Sequence, residues 1–93
     1  MHNNILKKLD FILSEAPFKS IRLTDRNTVL SGKGDVDWLV KSPKNALRYL
    51  SERLSHNVEG LKVINYRHHS TGIRLNLVDH SGNLFYGPDF VFT

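Results

Sequence analysis

The chain predicts an α+β domain, a small antiparallel or mixed sheet covered by two helices, in the order α-β-β-α-β-β-β. Two observations carry this. Two stretches, one in the first third of the chain and one in the second, repeat apolar residues at helical spacing. Everything else falls into short runs of alternating apolar and polar residues, parted by Gly-, Pro-, Asn- and Ser-bearing turns. Strands grouped in runs of two and three after the helices, instead of alternating with them one for one, predict helices laid on one sheet. Ninety-three residues is the size of one domain, expected to span 1–93.

Each element has its own warrant. Over 3–15, Ile5, Leu6, Leu9, Ile12 and Leu13 share one helical face, with Lys7, Lys8, Asp10 and Glu15 opposite. Asn3 or Asn4 is a suitable cap, and Pro17 follows the expected stop. Lys19 to Asp25 reads as a strand in which Ile21 and Leu23 alternate with Arg22 and Thr24. Arg26-Asn27-Thr28 supplies a turn, Val29-Leu30 a short apolar resumption, and Ser31-Gly32-Lys33-Gly34 a tight glycine turn. That turn delivers the chain into the strand Asp35-Val36-Asp37-Trp38-Leu39-Val40. Ser42 as cap and Pro43 at the first helical position open the second helix, whose buried stripe is Ala46, Leu47, Leu50 and Leu54. Lys44, Arg48 and Glu52 share its outer face. It ends near His56-Asn57, with Gly60 in its exit. Leu61 to Arg67 and Ile73 to Val78 read as strands parted by Ser70-Thr71-Gly72; Ile73, Leu75 and Leu77 face the core. After a turn at 79–83 come two further runs, Leu84-Phe85-Tyr86 and Phe90-Val91-Phe92, interrupted by Gly87-Pro88.

Composition removes several function classes. The chain has no cysteine, which excludes disulfides, thiolate zinc sites and thiol nucleophiles and fits a reducing compartment. No apolar run reaches the roughly 18 residues a membrane span needs. Lys7, Lys8 and Asp10 break any signal-peptide core, so the expected location is cytoplasmic, with no membrane. A net charge of +4 and a pI near 9.6 suit a phosphate-bearing partner, a nucleotide or nucleic acid.

The stretch with most chemical content is Gly34-Asp35-Val36-Asp37. Residues i and i+2 of a strand share a face, about 6.6–6.8 Å apart. Asp35 and Asp37 therefore aim at one side, and Val36, Trp38 and Val40 at the other. Two such carboxylates repel, and a divalent cation removes that cost. Mg²⁺ prefers one or two carboxylates plus substrate phosphates. Lys33 and the flanking glycines let backbone amides and a cation approach a phosphate, while a plain hairpin turn explains the same glycines. The spacing is not that of a Walker loop.

Gly34-Asp35-Val36-Asp37-Trp38-Leu39-Val40 resembles the G-D-I-D-L-L-V segment of the nucleotidyltransferase superfamily. The resemblance covers about residues 20–79 and implies a minimal nucleotidyltransferase-like core. It further implies that Asp35 and Asp37 hold Mg²⁺ and act catalytically. Asn76, in Arg74-Leu75-Asn76-Leu77, would stand where some members carry a third acid, as a weaker metal ligand. Arg22, Lys33, Gly34 and Arg74 would contact the nucleotide's phosphates. The chain departs from the pattern twice. Ser31-Gly32 lies directly beside the acids instead of well before them, and position 76 is an amide. A degenerate or binding-only member is thus expected as readily as an active enzyme.

Two other classes compete. One is a non-catalytic partner-binding protein of inhibitor, immunity, toxin–antitoxin, prophage or mobile-element accessory type, which predicts an exposed apolar patch or sheet edge away from the acids. The other is a metal-independent ribonuclease using His68 or His69 with His80, Arg67 and Arg74. Adjacent His68 and His69 point to opposite sides of a strand, and no zinc-type histidine spacing occurs. Tyr66, Phe85 and Tyr86 are either core or a surface on which bases stack.

Overall fold

The computed structural model describes residues 2–23, 36–55 and 60–92. Its elements are α1 (His2–Ser14), β1 (Ser20–Arg22), β2 (Asp37–Val40), α2 (Pro43–Ser55), β3 (Leu61–His69), β4 (Gly72–Asp79) and β5 (Leu84–Phe92). Five strands form one mixed sheet in the order β1-β2-β5-β4-β3. All neighbours are antiparallel except β2 and β5, which run parallel. Both helices lie on one face of the sheet, and among the described residues no helix lies on the other.

The apolar stripes of both helices are the expected ones, but α1 begins at His2, so Asn3 and Asn4 lie within it and neither is the cap expected from the sequence. Ile5, Leu6, Leu9, Ile12 and Leu13 are the buried stripe of α1. Its last turn closes with Ser14 Oγ donating to Phe11 O at 2.6 Å, ahead of Pro17. At the start of α2, Ser42 Oγ accepts from Asn45 N at 3.2 Å, satisfying one of the amides a helix leaves unpaired. Pro43, Ala46, Leu50 and Leu54 are buried beneath it, and Leu47 is half-buried.

The two helices are tied by one polar cluster. Tyr49 on α2 donates its hydroxyl to Ile12 O at 3.0 Å. Arg53 donates to that hydroxyl at 3.2 Å and to Glu15 Oε1 at 2.9 Å. The Glu15 carboxylate, foremost among its neighbours, raises the pKa of Arg53 beyond its ordinary value.

Strand alternation sends Val36, Trp38 and Val40, then Ile73, Leu75 and Leu77, then Phe85 and Phe90, into the core under the helices. Two irregularities break that alternation. On β3, Ile64 is an extra residue between Val63, opposite Leu77, and Asn65, opposite Asn76. On β5, Tyr86 is opposite Asn76 and Asp89 opposite Arg74, so Gly87 and Pro88 together face Leu75 alone. This is a bulge, joined by a cis Gly87-Pro88 peptide. The Gly87-Pro88 interruption expected from the sequence is thus absorbed inside one nine-residue strand. The alternation expected at the first strand is inverted in effect: Ile21 and Leu23 are exposed, because this short edge strand carries them on the uncovered side.

Candidate functional site

Residues paired across a sheet share a face, so the register gives the uncovered side directly. One row crosses four strands: Asp37 on β2, Asp89 on β5, Arg74 on β4 and Arg67 on β3. Two carboxylates are followed by two guanidinium groups. Neighbouring strands lie about 4.8 Å apart, which sets the spacing of the Asp37 and Asp89 backbones. Both aspartates are half-buried, Asp89 with 14% of its side chain exposed. The backbone holds them in step, since Asp89 N donates to Val36 O at 2.9 Å.

The flanking rows differ in character. On one side lie Leu39, Val91, Gly72 and His69. Gly72 has no side chain, so the imidazole of His69 reaches across β4, and its Nε2 donates to Asp89 Oδ1 at 2.6 Å. Thr71 N donates to His69 Nδ1 at 3.3 Å, which leaves the proton on Nε2. On the other side lie Tyr86, Asn76 and Asn65, where Asn76 Nδ2 donates to Asn65 Oδ1 at 2.7 Å.

The sequence candidates are distributed unevenly over this geometry. Asp37 and Arg74 are in the charged row. Asp35, Lys33 and Gly34 lie outside the described residues. Arg22 is elsewhere: it is opposite Trp38 and so turns to the helix side, where its Nε is 3.5 Å from Asp10 Oδ1 of α1. Asn76 is not beside Asp37, because β5 lies between β4 and β2 and position 76 is one row away.

Asp79 is committed to the turn after β4. Its carboxylate accepts from Asn83 Nδ2 at 3.0 Å, Asn83 N at 2.8 Å and Ser81 N at 2.9 Å. These bonds, that of the Asn83 side chain foremost, hold its pKa below the ordinary carboxylate value. His69 and His80 are at opposite ends of β4, with His80 beside Gly60. His68 points away from His69 and meets Tyr66 edge-on at 5.8 Å.

Asp89 is the residue that sequence reasoning passed over. Its signal was present: Pro88-Asp89-Phe90-Val91 is a lone carboxylate inside an apolar strand run. Among the described residues no three His, Asp or Glu side chains converge as a metal-binding group. What the face does offer is a carboxylate pair beside a guanidinium pair, the complement of a divalent cation carrying phosphate. No protein-family model, curated protein or solved structure matches this chain.

Proposed function

We propose that the chain is a nucleotidyltransferase-like domain that binds a divalent metal and nucleotide phosphate on its open sheet face, whether or not it also transfers a nucleotidyl group. The observation that supports this is Asp37 set opposite Asp89 on adjacent parallel strands. Two ionised carboxylates on neighbouring strands disfavour each other's charge. A cation between them reverses that effect. The pair fits Mg²⁺, which needs only one or two carboxylates when phosphates supply other ligands. Bound there, the ion would neutralise and orient the phosphates. Arg74 and Arg67 continue the row and suit the phosphate oxygens, since a guanidinium matches them through two parallel hydrogen bonds. His69 fixes one oxygen of Asp89 and so holds that carboxylate in place. Asp35 remains a sequence candidate for the same ion.

Thermal unfolding with millimolar Mg²⁺ or Mn²⁺ and nucleoside triphosphates tests this. Ligand at a hundred times its Kd adds about 2.7 kcal/mol, about 10 °C or more for a domain this small. The rise should need metal and nucleotide together and should vanish in Asp37→Asn, Asp89→Asn and Asp35→Asn. A melting curve indifferent to both ligands removes the proposal.

One observation favours the second reading, a non-catalytic partner-binding module. Pro17, Phe18, Ile21 and Leu39 line a cleft of about 570 Å³ at the β1 edge, with Lys19 and Lys41 also lining it. A melting temperature unmoved by metal and nucleotide, together with a bound protein released by Ile21→Asp, would select that reading.

A further inference from the structure

We infer that the row beside the charged one, Tyr86, Asn76 and Asn65, receives the base of the nucleotide; this rests on the metal–phosphate reading above. The two rows share the uncovered face and are one strand repeat apart, about 6.8 Å. A ligand whose phosphates lie over Arg74 and Arg67 has this row within reach of its ribose and base, and the chemistry of the row is what favours it over the Leu39, Val91, Gly72 and His69 row on the other side.

The chemistry of the row suits a base and not another phosphate. It carries no cation. Tyr86 is 57% exposed although it sits within the central strand, whereas its neighbour Phe85 is 4% exposed in the core. A ring presented in this way is a stacking platform, and stacking on such rings changes affinity about 10- to 100-fold. Beside it, the Asn76–Asn65 hydrogen bond orders two amides. Because Asn65 Oδ1 accepts that bond, the exposed Asn65 keeps its Nδ2 donors available. Asn76 Oδ1 is shielded from water and so from a ligand, and the acceptor this row presents is the second lone pair of the exposed Asn65 Oδ1. A donor and an acceptor side by side match the edge of a nucleobase, which offers both. Tripolyphosphate offers neither a ring nor a donor.

The test is calorimetric titration, with Mg²⁺ present, of ATP, GTP, CTP, UTP and tripolyphosphate. The expected result is at least one nucleoside triphosphate binding ten or more times tighter than tripolyphosphate. Tyr86→Ala and Asn65→Ala should erase that preference and leave tripolyphosphate affinity within about twofold; Tyr86→Phe should retain it. Both side chains are exposed, and the wild-type comparison decides the matter even if a variant fails to fold. Tripolyphosphate binding as tightly as every nucleotide, or a preference untouched by both alanine variants, overturns the base site alone. If no probe binds the wild type, the metal–phosphate reading falls with it.

Discussion

Replacing Gly72 by alanine places a methyl group where there is no room. A Cβ there would stand 1.9 Å from Phe90 O and 2.9 Å from Val91 Cα, where contacts under 3.0 Å are essentially never found, so β4 and β5 must part by about 1 Å. The obstacle is backbone, which cannot swing aside as a side chain does. Overpacking of this kind costs about 1–3 kcal/mol, and a backbone clash belongs at the upper end. With a urea m-value of about 1 kcal/mol/M for a small domain, Gly72→Ala should lower the midpoint by about 2–3 M. The equivalent fall in melting temperature is about 10–20 °C. Trp38, the single tryptophan and 2% exposed, reports the transition by fluorescence. Gly82→Ala is the control, since nothing lies within 4 Å of its Cβ position and only its φ of +86° opposes a side chain. That costs about 1–2 kcal/mol. Equal losses for the two variants would refute the close approach of β4 and β5 on which the reach of His69 depends.

Three further outcomes are expected. Ser42→Ala removes the cap on α2 and should cost about 1 kcal/mol, read as a urea midpoint shift with an unchanged slope. Tyr49→Phe removes the hydroxyl that links Ile12 O to Arg53 and should cost about 1 kcal/mol, with Arg53→Ala adding less than an independent loss because the two share one network. Asp79 has its carboxyl pKa lowered by Asn83 and the turn amides, so its ionised form stabilises the fold above the unfolded-state pKa, near 4. That contribution is lost as pH falls through the lower folded value. Asp79→Asn should therefore be less stable than wild type at neutral pH, with the gap narrowing below about pH 4 in acid titrations of the urea midpoint.

Local features were legible because local physics sets them. The stripe from Ile5 to Leu13, the Ser42-Pro43 start and the 79–83 turn each announce their structure within a few residues. The site was less so. Strict alternation counted from Phe85 would send position 89 into the core; the Gly87-Pro88 bulge resets the count and brings Asp89 to the open face. Nothing in the chain states that β5 enters between β2 and β4, so Asn76 on β4 looked nearer to Asp37 than it is. The resemblance assigns Arg22 to phosphate, but its register opposite Trp38 directs it to Asp10.

The strand that enters the middle of the sheet is the last of the five along the chain. Until residues 84–92 are in place, the hairpin of β3 and β4 has no bridge to β1 and β2, and Asp37 has no Asp89 beside it. During synthesis the edges of β2 and β4 therefore stay unbridged until residues 84–92 emerge, and the Asp37–Asp89 pairing assembles only with that segment.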